Sequence, residues 1–500
     1  MKIRLLLLPT LSAVVALLLA GCASDPDTPI RETSGPPVVS GPLTVTPIRF
    51  QTTDYFFRPI VIDAEEGRLE VPERHGDPEG RKITVRYVRF PALTDTPTAP
   101  IVYLAGGPGG SGTWSSSGDR YPLFQRLREV ADVIAYDQRG TWGTEPYMIC
   151  PGSWDYPLDQ PADEATLSSA VKPFLETCWQ HFADQADLSA YNTVESAEDL
   201  DALRRALGAE KLNLWGISYG THLGLAYLRA HPDRVERAIL AGVEGPNHTY
   251  KLPERVDSVL ARVAAMVAAD SQAQRAAPNF LDDLKTLLAR LEAEPARIAV
   301  EHPRTGETHS VVVGASDLRR AVFGSLGERE DIEEILERGI PILKGDLTEL
   351  GLFALSNRTA NRELVMSLSM DCASGATADR MAEIRKQEKN AILGNPSTWL
   401  HAACAHWPVQ DLGDTFRSDV QSDVPTLFIS GTLDAKTPPK NAEDVLPGFS
   451  RGHHLIIENG SHDDDLFLSS PEIAEAMETF LRGGEPAERV VLDPIRFKLP

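Results

Sequence analysis

Gly216-Ile217-Ser218-Tyr219-Gly220 joins a short apolar segment, Leu212-Asn213-Leu214-Trp215, to a stretch of helical character at 221–230. A serine on so sharp a strand-to-helix turn is held in strained backbone geometry. Only small flanking residues let strand and helix come that close. The turn lifts the hydroxyl above the edge of a sheet, where a base on another loop can reach it. Five residues of this pattern recur by chance in long chains, so the strand before and the helix after carry the reading. They imply an α/β sheet with a serine nucleophile at its edge.

The flanking sequence supports such a sheet. Ile101-Val102-Tyr103-Leu104 and Asp132-Val133-Ile134-Ala135-Tyr136 are continuous apolar runs, as in parallel strands covered on both faces. Between them, Leu123, Leu127 and Val130 fall at helical spacing over 122–130. A helix at 196–207, opened by Glu195-Ser196 and closed by Gly208, leads into the serine strand, and 237–240 reads as the next strand. Upstream, 60–62, 69–71 and 82–90 suggest an antiparallel start. From 249 to 415 the texture turns helical, over 256–269, 280–291 and 332–343, with a strand pair at 298–301 and 309–313. Core strands return at 425–430 and 454–457, followed by a helix at 471–481. The expected plan is a core of 46–248 and 416–500, with a mainly helical cap of 249–415 inserted in it.

With 42% hydrophobic residues in 500, a large core is available. The net charge of −23 argues against nucleic-acid binding, which needs clustered Lys and Arg. Its plain reading is solubility, and a secondary one is a field that attracts cationic substrates such as free amino termini. Lys2 and Arg4 precede an apolar run at 5–20 that ends in Leu18-Leu19-Ala20-Gly21-Cys22. This is a secretory signal over 1–21, and it resembles the bacterial lipoprotein signal, in which Cys22 would be lipidated. A plain signal peptide or a membrane anchor is the alternative. Ala23 rather than aspartate after the cysteine points to the periplasmic face of an outer membrane, if the host has one. Residues 22–45, rich in Pro, Ser, Thr, Asp and Gly, read as a flexible tether.

Four further cysteines, Cys150, Cys178, Cys372 and Cys404, suggest two disulfides in an exported chain. Three pairings exist, and proximity favours Cys150–Cys178 with Cys372–Cys404. Their spacing lacks the close pairs that zinc needs, so no metal and no other cofactor is expected.

A serine hydroxyl needs a base to take its proton, and the base needs a carboxylate to orient it. In this fold the order is serine, acid, histidine. His453 and His454 precede or begin a strand, whereas His462 follows it in Glu458-Asn459-Gly460-Ser461-His462 and is the expected base. Asp434, in Ile429-Ser430-Gly431-Thr432-Leu433-Asp434, is the expected acid. Asp463, Asp464 and Asp465 read as solvated charge or caps, and Asp411 and Asp414 precede the strand at the opposite edge. The oxyanion needs two backbone N–H donors. Tyr219 should give one and Gly107, in Ala105-Gly106-Gly107-Pro108-Gly109-Gly110-Ser111-Gly112, the other, with Gly106 next in line. That loop lacks both the Lys-Ser/Thr ending of a phosphate-binding loop and dinucleotide-site spacing.

Gly106-Gly107-Pro108-Gly109, Asp137-Gln138-Arg139-Gly140 and Gly216-Ile217-Ser218-Tyr219-Gly220 together resemble the prolyl and tripeptidyl aminopeptidase branch of the α/β-hydrolases. Ala105 stands where that family usually has histidine, as in some tripeptidyl-type members. Cys372 and Cys404-Ala405-His406-Trp407-Pro408 look like the paired cysteines of tripeptidyl-type relatives. The resemblance implies that Ser218, Asp434 and His462 form the triad. It also implies that an acidic residue near the cap binds the substrate's free amino terminus. Glu244 is the best-placed candidate, Asp371 a weaker one, and a loop carboxylate paired with an arginine is the plain alternative for Glu244. Asp137 and Arg139 are expected to tie their loop. The expected activity is release of residues from peptide amino termini through an acyl-enzyme. The alternatives are an esterase with the same triad and a non-catalytic binding lipoprotein.

Overall fold

The computed structural model describes residues 31–53 and 58–500. Its first strands are β1 (Arg31–Thr33), β2 (Val38–Ser40), β3 (Leu43–Thr53), β4 (Pro59–Pro72), β5 (Lys82–Phe90), β6 (Ile101–Leu104) and β7 (Val133–Asp137). There follow β8 (Leu212–Ile217), β9 (Val235–Ala241), β10 (Ala296–Glu301), β11 (Thr308–Val313), β12 (Thr426–Gly431), β13 (Gly452–Glu458) and β14 (Arg489–Val491). One sheet takes the order β1-β3-β4-β5-β7-β6-β8-β9-β12-β13-β14, with β2 paired to β3, and β10-β11 form a separate pair. The pairs before β7 are antiparallel. From β7 to β14 every neighbour is parallel.

The strand order reverses at β6, which lies between β7 and β8. Loops that leave β6 and β8 therefore emerge side by side at one edge, the position where open α/β sheets hold ligands. The register aligns Leu104 with Gly216, so the glycine-rich loop and the serine turn start at the same level. Alternate side chains of β6 feed two cores. Ile101 and Tyr103 pack with the helices Tyr121–Leu127 and Pro471–Leu481, while Val102 and Leu104 pack with Thr193–Ala206 and Tyr219–Ala230.

The helical region is built as two packed bodies. One gathers Val256, Leu260, Leu284, Leu288, Ile332 and Leu336 around the β10-β11 pair. Ile495, Phe497 and Leu499 belong to it too: Ile495 is buried there and Lys498 N donates to Glu333 O at 2.7 Å. The other joins helix Glu164–Phe182 to Val365, Leu368, Ala402 and Trp407. Cys150–Cys178 and Cys372–Cys404 are the two disulfides, closing sequence separations of 28 and 32. Each such closure typically contributes about 2–4 kcal/mol.

Three expectations need correction. Residues 31–45, read as tether, contain β1, β2 and the start of β3. Gly41-Pro42 makes a tight turn there, with Gly41 at φ 59°, and buried Leu43 seats the hairpin. The segments at 60–62 and 69–71 are one long strand, β4. The helix before β8 begins at Thr193, because Asn192 caps it by accepting from the N–H groups of Val194 and Glu195. Cys22 lies outside the described residues. Among the described residues no helix is long and apolar enough to cross a membrane.

Candidate active site

Ser218 sits between β8 and the helix Tyr219–Ala230 at φ 52° and ψ −126°, a conformation that non-glycine residues rarely hold. Its neighbours enforce it. A Cβ on Gly216 would lie 2.7 Å from Gly220 O, and a Cβ on Gly220 would overlap the Leu104 carbonyl. Ser218 N donates to Ala241 O at 3.0 Å, which pins the turn to β9. Tyr219 is the first residue of its helix, so its N–H has no intrahelical acceptor and faces outward. Its buried ring is anchored by Thr193 Oγ1 at 3.0 Å and Met370 Sδ at 3.0 Å.

The glycine-rich loop abuts this turn. A Cβ on Gly106 would fall 3.0 Å from Ser218 Cβ and 3.7 Å from Ser218 Oγ. Gly107 follows at φ 118°, a backbone state open to glycine, before a cis Gly107–Pro108 bond. Ser367, on helix Val365–Ser374, donates to Pro108 O at 2.7 Å and ties the loop to the cap. Asp137 accepts from Ser111 Oγ (2.6 Å), Thr113 N (3.0 Å) and Thr113 Oγ1 (2.7 Å). Fully buried Arg139 forks onto Asp199 with two 2.7 Å bonds. Both hold loops in place.

Asp434 follows β12 and His462 follows β13. The His462 Nδ1–Asp434 Oδ2 distance is 2.9 Å. Asp434 has no exposed surface; Oδ1 also accepts from Lys436 N (2.8 Å) and Thr437 N (2.7 Å), and Oδ2 from Thr437 Oγ1 (2.6 Å). Burial pushes its pKa up, but the charge and bond of His462 and the donors of Thr437 outweigh that and hold it below the usual value. An ionised carboxylate fixes the proton on Nδ1 and leaves Nε2 free as a base. The ring reaches the serine turn at Gly242, where a Cβ would meet His462 Cε1 at 3.1 Å, one residue past the Ala241 carbonyl that holds Ser218 N. Among the described residues no hydrogen bond closes between Ser218 Oγ and the ring; such bonds often tighten only with substrate bound.

Glu244 follows β9, 5% exposed, its N–H donating to Thr221 Oγ1 at 2.8 Å, one turn into the helix behind Ser218. Asp371, on the cap helix Val365–Ser374, keeps part of its surface open, yet its carboxyl is ringed by protein. That enclosure, and then the charge of Glu244, raise its pKa well above the usual value, with Lys251 pulling the other way. Two acids thus share one site beside the serine turn. His222, whose pKa burial lowers against the pull of Glu244, supports this loop through Gly245 O (3.2 Å) and Ser374 Oγ (3.1 Å).

The other acids and histidines lie elsewhere. His454 Nε2 meets Ser430 Oγ at 3.0 Å inside the sheet, and Asp411 and Asp414 pair with Arg417. Asp465 is buried and accepts from Ser461 N at 2.8 Å, so it is a brace rather than solvated charge. Thr437 and Ser367 escaped the sequence reading. The Asp434-x-x-Thr437 spacing, typical of a side chain that caps its own turn, was the available signal for Thr437. Among the described residues no three His, Cys, Asp or Glu side chains gather as a metal ligand set.

Comparison with known proteins gives two family models and several relatives. Residues 99–307 match a family model described as α/β hydrolase fold, and 390–491 match one described as TAP-like protein. Serine protease Hip1 of Mycobacterium tuberculosis is 26% identical over 525 residues, spanning 96% of each chain. A tripeptidyl aminopeptidase of Streptomyces coelicolor is 25% identical over 484 residues, covering 86% of this chain and 83% of its own. A proline iminopeptidase of Neisseria gonorrhoeae is 26% identical over 144 residues, 29% of this chain and 32% of its own.

Proposed function

We propose, from the premise that this chain is a serine peptidase of the α/β-hydrolase type, that it releases short pieces from the free amino termini of peptides through an acyl-enzyme. Ser218 Oγ attacks the scissile carbonyl while His462 Nε2 takes its proton. Asp434 holds the ring and stabilises the imidazolium that forms. The N–H groups of Tyr219 and Gly107 receive the oxyanion. His462 then passes the proton to the departing amine, and water repeats the sequence to free the acid. Glu244 and Asp371 hold the substrate ammonium, whose charge takes the place of the proton that Asp371 otherwise keeps.

The observation that carries this reading is the acid pair beside the serine turn: an esterase has no use for two enclosed carboxylates there. The test is a panel of fluorogenic aminoacyl and tripeptidyl amides, each with a free or an acetylated amino terminus. Free substrates should turn over at least about 100-fold faster in kcat/KM, since an unpaired buried acid costs about 3 kcal/mol. Glu244→Gln should raise KM for the free series, and Ser218→Ala should abolish turnover. Equal rates on free and blocked peptides, with fast cleavage of acetate or butyrate esters, would instead support the esterase.

We also propose export and lipid anchoring at Cys22, supported by the basic, apolar and small-residue order of residues 2–22 and by two disulfides, which suit an oxidising compartment. Labelled palmitate should enter the native chain and not Cys22→Ser.

A further inference from the structure

Arg120 immediately precedes the helix Tyr121–Leu127 that follows the glycine-rich loop, and it is 8% exposed. Its guanidinium lies 5.3 Å from the Phe467 ring centroid and donates to the Tyr103 hydroxyl on β6. It also crosses to the histidine loop, forming an ion pair with Asp463 and a second with Asp464 at 3.4 Å. These two carboxylates come directly after His462. Asp463 stands at φ 59°, a left-handed state that costs an L-residue about 1–2 kcal/mol. Such a conformation persists only where its surroundings impose it. On the other side of His462, Asp465 holds Ser461 through both its N–H and its Oγ at 2.8 Å. His462 is therefore clamped between two braces, and the Arg120 brace is fixed to the strand that carries the oxyanion loop.

A buried cation is a poor device for stability alone, because an apolar side chain of similar volume often serves as well. What the charge adds is a fixed position. We infer that Arg120 is a positioning residue: by holding Asp463 and Asp464 it sets the backbone that presents the His462 imidazole to Ser218. The inference rests on the acyl-transfer reading above, and it does not depend on which ester or amide is cleaved.

The test uses the full chain with Arg120→Met, which keeps the stem against Phe467 and Tyr103 and removes the charge. The readouts are kcat and KM on the best free-terminus amide and the rate at which a fluorophosphonate labels Ser218, each corrected for the folded fraction. Expected are a fall of about 10- to 100-fold in kcat and in labelling rate, with KM within about twofold, as for a misplaced catalytic group. Arg120→Lys should recover part of the loss. Asp463→Asn, altered on the exposed partner and so less exposed to misfolding, should show the same kcat defect. Combined with Arg120→Met, it should add little. Wild-type labelling by Arg120→Met and Asp463→Asn, or fully additive losses, would overturn the clamp. Ser218→Ala runs in parallel: if it still labelled, the nucleophile assignment would fail instead.

Discussion

Asp371 and Asp434 are two enclosed carboxyls pushed in opposite directions, and the difference is in their partners. Asp434 is given the His462 ring and three further donors, so its charge is kept. Asp371 faces a second acid, so its proton is kept. A carboxyl whose pKa in the fold stands above its unfolded value of 3.8 contributes most to stability at low pH, and that contribution declines as pH rises through the folded value. Tm should therefore rise on going from about pH 8 to about pH 5, and the rise should be smaller in Asp371→Asn. A differential scan at the two pH values checks this; an unchanged slope in the variant would place the effect elsewhere. For Asp434, Thr437→Val removes the 2.6 Å donor without changing side-chain volume much. It should cost roughly 1.5–3 kcal/mol of support for the carboxylate, seen as a lower kcat with KM little changed.

The turn that carries Ser218 was legible because its requirements are local. Glycine at 216 and 220, an apolar strand before and a helix after are all written within residues 212–230. Gly220→Ala tests how tight that fit is. Its methyl would run into the Leu104 carbonyl, and backbone cannot give way as a side chain can, so a loss of at least about 1–3 kcal/mol is expected, measured as denaturant midpoint. The meeting of Asp434 with His462 was legible for the same reason, each directly following a readable strand. Less legible were features whose cause lies far along the chain. Asp463 and Asp464 look like solvated charge until Arg120, more than 300 residues away, is set against them. The pairing of β1 and β2 with β3 depends on a strand whose composition gave no strong signal, interrupted as it is by Pro47. The start at Thr193 is different: Asn192 with Glu195 three places on is a capping signal that was present and passed over.

Across the molecule, the sheet positions the loops and the helical bodies close over them. Gly327 O accepts from His462 N at 3.0 Å, and Lys436 Nζ donates to Phe323 O at 3.1 Å, so the loops that carry His462 and Asp434 are both tied to the helical region. Residues 492–500 then pass from the sheet across the cap, with Asn459 Nδ2 donating to Leu492 O at 3.0 Å and Lys498 Nζ to Glu334 Oε1 at 2.8 Å. Removing 493–500 should leave the sheet folded but speed proteolysis within 253–358, because local opening tracks the contacts that hold a segment down. Limited digestion followed by mass spectrometry reads this out. Equal cleavage rates with and without the segment would mean that it holds nothing. The interleaving of helix Glu164–Phe182 with 365–407 has a different consequence. Transplanting 249–415 alone from a relative would strand Leu167, Val171 and Leu175 against a foreign surface and would replace one disulfide while keeping the other. Shuffling specificity among such enzymes calls for moving 148–191 in the same cut, as a matched pair of modules.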